Sequence, residues 1–272
     1  MLLSAADLRF GYPRPRRGAA AARDVIGGVS LDVAAGAAVG ILGPNGSGKT
    51  TLLRLVSGSL QPAAGRVTLD GTDLHRLPSR TIARRIAVVP QETSLAFDYS
   101  VLEIVLMGRY PHLGTFEIEG PRDFEVSMAA LEATGTAAFS DRPFRTLSGG
   151  EKQRVVIASA LAQIDSGSPG SSGSAGLLVL DEPTASLDLK YQFEIGALLR
   201  RIQRERGISI LLSTHDLRFA ASLCTSIVLL AEGRVLAQGT PAEVLTPALI
   251  GTLFEVDPRL AAPILAAAEV AR

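Results

Sequence analysis

One cysteine, Cys224, and three scattered histidines are all that this 272-residue chain offers as soft metal ligands. An internal disulfide is therefore excluded and no metal cluster suggests itself, which fits a reducing, cytoplasmic setting. Net charge is also lacking: 27 Lys+Arg balance 27 Asp+Glu. That balance argues against a protein that binds nucleic acid by bulk electrostatics. Long apolar runs are missing as well. The uncharged stretch from Val33 to Gly48 is broken by Gly and Pro and falls short of the roughly 18 residues a bilayer span requires. At the N-terminus no basic residue precedes the first apolar stretch, and Asp7 interrupts it, so an export signal is not expected. Lysine is scarce, confined to Lys49, Lys152 and Lys190. Arginine is the default cation here, and a lysine marks a position that suits a compact ammonium.

What the chain does have is apolar material. Hydrophobic residues make up 47% and charged residues 20%, enough for one large core or two unequal lobes and too much for disorder. Alternation predicts strands around Ala6–Phe10, Val29–Val33, Ala38–Leu42 and Arg66–Leu69, the last followed by a hairpin-type Asp70-Gly71 turn. A helix from Lys49 to about Val56 puts Leu52, Leu53 and Val56 on one face, and a second from Pro78 to Arg85 leads into the strand Ile86–Val89, stopped by Pro90. Between 101 and 162 the pattern is mainly helical, with helices expected at 101–109, 122–135 and 149–164. Residues 166–176 read as a Ser/Gly-rich low-complexity loop to which no function is assigned. Strands at 177–180, 208–213 and 227–230 then alternate with helices at 189–206 and 217–223. That alternation marks a doubly wound parallel sheet. From Pro241 onward two short helices at most are expected, with no room for an appended regulatory domain.

Gly43-Pro44-Asn45-Gly46-Ser47-Gly48-Lys49-Thr50 fits G-x-x-x-x-G-K-[ST] directly after an apolar strand and at the start of a helix. The glycines let successive backbone N–H groups turn inward as an anion-binding nest, and the helix N-terminus reinforces it. Lys49 then reaches the β- and γ-phosphates of a nucleotide, and the Thr50 hydroxyl binds Mg²⁺. Leu177–Leu180 is a buried-type strand ending in Asp181 and Glu182. At the carboxyl edge of a parallel sheet, Asp181 can hold Mg²⁺ through water, and Glu182 can orient or deprotonate an attacking water. The plainer alternative for Asp-Glu-Pro is a solvated helix start. His215 follows another apolar strand, where an imidazole could donate to the γ-phosphate or to the water; the alternative is a structural histidine.

Leu147-Ser148-Gly149-Gly150-Glu151-Lys152-Gln153-Arg154 resembles the signature sequence of ATP-binding cassette (ABC) ATPases. With it, Gln91 resembles the Q-loop glutamine, Ala185-Ser186-Leu187-Asp188 the D-loop, His215 the switch histidine, and Tyr12 the aromatic that stacks on adenine, although a turn residue covering the core would read the same way. The resemblance implies an α/β fold: a P-loop NTPase core with a mainly parallel sheet, an N-terminal antiparallel β subdomain and an inserted α-helical subdomain. The whole of 1–272 would be one ABC ATPase domain, with 1–95 and 163–272 forming the core and 96–162 the helical part. It implies ATP and Mg²⁺ as ligands. Glu182, His215 and Gln91 are the expected catalytic residues, and Thr50, Gln91 and Asp181 the expected metal-binding ones. Nucleotide contacts fall to Tyr12, Gly43, Pro44, Asn45, Gly46, Ser47, Gly48, Lys49, Thr50, Thr51, Ser148, Gly149, Gly150 and Asp188. Because Ser148–Gly150 opens a second helix far along the chain from Lys49, the family arrangement is a head-to-tail homodimer holding two ATP molecules between Lys49 of one copy and Ser148 of the other.

The stretch Phe97–Leu113, with Met107-Gly108-Arg109-Tyr110-Pro111-His112, is similar to the segment that borders the permease groove in metal-chelate importer ATPases. That similarity implies the ATP-hydrolysing subunit of an importer of an iron chelate, haem or cobalamin. The implied partners are two transmembrane permease subunits and, through them, a periplasmic or lipid-anchored binding protein. Such a subunit sits at the cytoplasmic face of the bacterial inner membrane, and no nucleic-acid partner is expected. An exporter ATPase, or a soluble ABC ATPase acting on nucleic acid or ribosomes, is the alternative.

Overall fold

The computed structural model describes residues 1–13, 24–93, 97–165 and 176–262. The Ser/Gly-rich stretch 166–176 lies outside the described residues except for Gly176. In chain order the first elements are β1 (Leu3–Phe10), β2 (Ile26–Val33), β3 (Ala38–Leu42), α1 (Lys49–Val56), β4 (Ala64–Leu69), β5 (Thr72–Asp73), α2 (Ser79–Ala83), β6 (Ile86–Val89) and α3 (Val101–Met107). They are followed by α4 (Pro121–Thr134), α5 (Gly149–Ile164), β7 (Leu177–Asp181), α6 (Leu189–Arg206), β8 (Ser209–Thr214), α7 (Leu217–Leu223), β9 (Ser226–Ala231), β10 (Arg234–Gly239), α8 (Pro241–Val244) and α9 (Pro247–Phe254). The fold is α/β and falls into two compact units, Met1–Leu77 with Leu211–Arg272, and Pro78–Ile210.

In the first unit, β1 lies at the centre of an antiparallel sheet ordered β2-β1-β4-β5. Asp70 and Gly71 both have left-handed φ angles, 49° and 79°, which is the tight hairpin whose twist matches its strands. A second set of strands runs β10-β9-β3-β8. There β3 is parallel to β9 and β10 antiparallel to it. Strand β3 is buried at all of its positions, the continuous apolar run expected of a strand covered on both faces. Apolar periodicity does not announce β10, because its burial merely alternates between exposed and half-buried. The turn before it, Glu232-Gly233, repeats the left-handed pair seen at Asp70-Gly71, with φ of 48° and 74°. Glutamate is not a usual first residue for that turn, so the hairpin is hard to see in the sequence. Beyond the two expected C-terminal helices, residues 258–262 are also helical. Pro258 opens this turn, and the Asp257 side chain accepts from Arg259 N–H at 2.8 Å.

In the second unit β6 and β7 are parallel, Ile86 beside Leu177 and Val89 beside Leu180. The signature helix α5 packs against α3 and α4. Capping sets the helix starts: Ser100 with Glu103 at α3 and Ser148 with Glu151 at α5 each form a reciprocal capping box. The helix expected over 101–109 stops at Met107, and a tighter turn, Tyr110–His112, follows it. Pro111 brings no N–H and cannot extend an α-helical ladder. Gly135, with φ of 68°, ends α4 in a left-handed cap. Among the described residues no helix is long and apolar enough to cross a membrane.

Candidate nucleotide-binding site

The first unit carries the phosphate loop between β3 and α1. Backbone crowding requires glycine at two of its positions. A Cβ on Gly43 would lie 2.2 Å from the Leu230 carbonyl oxygen, and one on Gly48, whose φ is +104°, would lie 3.0 Å from that of Val25. Gly46 also has a left-handed φ, +80°, yet meets nothing within 4 Å, so its freedom serves the loop's shape and leaves open space on that side. Lys49 is only 5% exposed. Its Nζ lies along the inside of the loop, donating to the carbonyls of Gly43 at 2.9 Å and Pro44 at 3.2 Å. A buried ammonium on carbonyl oxygens is a cation already placed for an incoming anion. The Ser47 N–H donates to Pro44 O, and Gly233 N–H donates to Ser47 O, which pins the loop to the β9–β10 turn. The buried Ser47 hydroxyl has no hydrogen-bond partner among the described residues.

Tyr12 stands edge-on to Phe10, with ring centroids 5.0 Å apart, and its hydroxyl is 3.3 Å from Thr51 Oγ1 on α1. The ring is thus held against the first turn of the phosphate-loop helix and remains 43% exposed. Thr51 is buried and Thr50 half-buried. In the same unit His215 is exposed at the end of β8. It is followed by Asp216, whose side chain caps α7 by accepting from the Arg218 and Phe219 amides. His215 also borders a mostly apolar cavity of about 450 Å³ with Ile250, Phe254 and Leu260.

The second unit gathers residues far apart in sequence. Gln91, Gly149, Gln153, Glu182 and Ala185-Ser186-Leu187 line one cavity of about 300 Å³. The glutamine after β6, the signature start, the glutamate after β7 and the D-loop thus border one cavity. Asp181 ends β7 at 8% exposure. Glu182 takes a left-handed φ of 46°, which costs a non-glycine residue of order 1–3 kcal/mol and persists only where surrounding structure holds it. Asp188 is the exposed N-cap residue of α6 and does not line the cavity.

At the signature, Ser148 N–H donates to Glu151 Oε2 at 2.7 Å. That backbone bond and the Ser148 side chain hold the Glu151 carboxyl below its ordinary value. Gly150 is a glycine for a local reason: a Cβ there would sit 2.3 Å from Tyr191 Cδ1, while one on Gly149 would only touch Leu187 at 3.5 Å. The sequence gives no role to Tyr191, and none to Gln153 beyond its place in the signature run. Tyr191 matters because of which helix faces it, and nothing in its neighbours announces that. Gln153 lies inside the signature run, and its buried Nε2 has no partner among the described residues. Cys224 is buried, its thiol pushed up to about 12 by desolvation, and is chemically quiet. Among the described residues no cluster of three or more His, Cys, Asp or Glu could hold a metal.

The ABC transporter family pattern matches residues 26–185. The chain belongs to this family. It is 43% identical to the hemin import ATP-binding protein HmuV of Pseudomonas entomophila, over 86% of this chain and 88% of that one. It is 41% identical to the cobalamin import ATP-binding protein BtuD of Halobacterium salinarum, over 85% of this chain and 55% of the relative. Among solved structures it resembles a metal-chelate type ABC transporter in an inward-facing conformation, at 30% identity and a TM-score of 0.77, over 93% of this chain and 89% of that one. Its fold is α/β, as the sequence predicts.

Proposed function

We propose that this chain is the ATP-hydrolysing subunit of an ABC importer that takes up an iron chelate, haem or cobalamin. The observation that carries the ATPase reading is that Gln91, Glu182 and Ala185-Ser186-Leu187 line one cavity. The 37–43% identity to import ATP-binding proteins supports the direction of transport.

In this reading the buried Lys49 and the N–H groups of the loop Gly43–Thr51, Pro44 apart, bind the triphosphate, and Tyr12 stacks on the adenine. Thr50 and Asp181 offer a hydroxyl and a carboxylate, the hard oxygen donors that suit Mg²⁺, with Gln91 as a third oxygen. Magnesium, when bound, neutralises charge developing on the phosphates. Glu182 accepts the proton of the attacking water, and the unusual backbone of Glu182 supports its being held for that task. His215 donates toward the γ-phosphate. Ser148, Gly149 and Gly150 of a second copy complete the site with the N-terminus of α5, and Asp188 lies at the same junction of copies. Two ATP molecules thus hold a homodimer closed, and hydrolysis releases it.

The helical stretch 96–162, with Met107–His112, faces two permease subunits at the cytoplasmic side of the inner membrane. A binding protein delivers cargo from the other side. The test is reconstitution of the assembled complex in liposomes with binding protein loaded with haem, cobalamin or a ferric hydroxamate. ATPase activity should rise with one of them; indifference to all three would remove the import assignment.

A further inference from the structure

We infer that Gln163 is a positioning residue through which the Tyr110–His112 turn is tied both to the strand leading to Gln91 and to the signature helix. Gln163 lies in the last turn of α5. Its side-chain Nε2 donates to Ala83 O at 2.8 Å and Ile86 O at 3.1 Å, at the end of α2 and the first residue of β6. Its backbone carbonyl, at a helix end where no intrahelical N–H is available, accepts from His112 Nε2 at 2.8 Å.

The turn is gripped from its other side too. Pro111 O accepts from Arg80 Nε at 2.7 Å and from Arg84 Nε at 2.8 Å. The buried Arg109 guanidinium adds bonds to Ala162 O at 2.6 Å and Asp165 O at 2.8 Å. One side chain and one carbonyl of a single residue therefore connect three segments that are distant in sequence. Moving the turn would strain its bonds to Arg80 and Arg84 on one side and to the C-terminal end of α5 on the other, where Gln163 passes the strain to Ala83 and Ile86. Helix α5 carries Ser148–Gly150 at its opposite end, and β6 leads within two residues of its end to Gln91. Helix α5 is continuous over that length and Gln91 stands two residues past β6, so a push on Tyr110–His112 reaches two parts of the site together.

This inference rests on the importer reading, in which the turn meets the permease. The test compares the isolated chain with the chain assembled with its permease in liposomes, for wild type and Gln163→Leu, which keeps similar bulk without the donor. ATPase activity of the isolated variant should stay within about twofold of wild type, while the change brought by permease and loaded binding protein falls roughly fivefold or more. Gln163→Asn, whose shorter amide cannot span both carbonyls, serves if the leucine variant does not fold. The inference is overturned if the variants respond to the permease as wild type does, or if basal rate and response fall in the same proportion, which a merely structural role would produce. A wild-type complex indifferent to its permease would instead remove the importer reading, and the relay with it.

Discussion

Substituting Gly150 by alanine sets two physical effects against each other. By helix propensity alone it should stabilise α5, since alanine is favoured over glycine by up to about 1 kcal/mol in a helix interior. The packing says otherwise. The new methyl would lie 2.3, 2.5 and 2.9 Å from three atoms of the Tyr191 ring, whereas carbon atoms rest at about 3.5–4.0 Å. The ring or the helix must therefore give way by roughly 1 Å. Gly150 is buried and Tyr191 half-buried, so neither side moves into open space without disturbing packed neighbours. Overpacking of this kind costs about 1–3 kcal/mol, which outweighs the propensity gain. In the proposed homodimer the displaced amides face the second copy's nucleotide, so a loss of about 1–3 kcal/mol of contact there would weaken the closed dimer by roughly 5- to 150-fold, while nucleotide binding to the single chain stays unchanged. The assay is the monomer–dimer equilibrium in ATP, by sedimentation or light scattering, in a Glu182→Gln background that prevents turnover. The double variant Gly150→Ala/Tyr191→Ala should recover much of the loss, since it removes the obstruction. Unimpaired dimerisation of Gly150→Ala, or no recovery in the double variant, would refute the argument.

Glu182→Gln should retain ATP affinity yet lower turnover at least about 100-fold, within the range for loss of a general base, and hold a dimer in ATP; single-turnover hydrolysis at the wild-type rate would contradict its role. Lys49→Ala should weaken nucleotide binding itself, because the ammonium held by the Gly43 and Pro44 carbonyls is removed from the loop; equilibrium titration with a fluorescent nucleotide reads this, and an unchanged affinity would sink the assignment. Arg109→Met should cost about 3–5 kcal/mol, because it leaves Asp123 and the Ala162 and Asp165 carbonyls without the guanidinium that is 3% exposed in the folded chain; a denaturant midpoint within error of wild type would contradict this. For pH, the Ser100, Ser148 and Thr240 caps hold the Glu103, Glu151 and Glu243 carboxyls below their ordinary values, through backbone hydrogen bonds first and side-chain ones second. A depressed carboxyl contributes stability that is present above its unfolded value and lost as pH falls through its folded one. Thermal stability should therefore fall as the pH drops below the ordinary carboxylate value of 4.5, and the triple Glu→Gln variant should show a shallower acid limb in a pH-resolved melt.

Local chemistry settled much of this protein. A glycine-rich loop after a buried strand, carboxylates after another, and a Ser-Gly-Gly helix start are short-range patterns, and α1, α5, α6 and α7 fall at the boundaries that capping and periodicity predict. The same logic misses β10, whose faces are only partly buried, and misplaces the end of α3, where Pro111 enforces a tighter turn. Tertiary structure alone decided which distant residues meet. That Tyr191 requires a glycine at 150, that Gln163 reaches both Ala83 and Ile86, and that Arg109 is buried on the end of the signature helix follow from how the helices pack. A sequence records which side chains can donate, accept or fill space; which partner each one finds is fixed only when the chain closes loops of tens of residues and removes the intervening water.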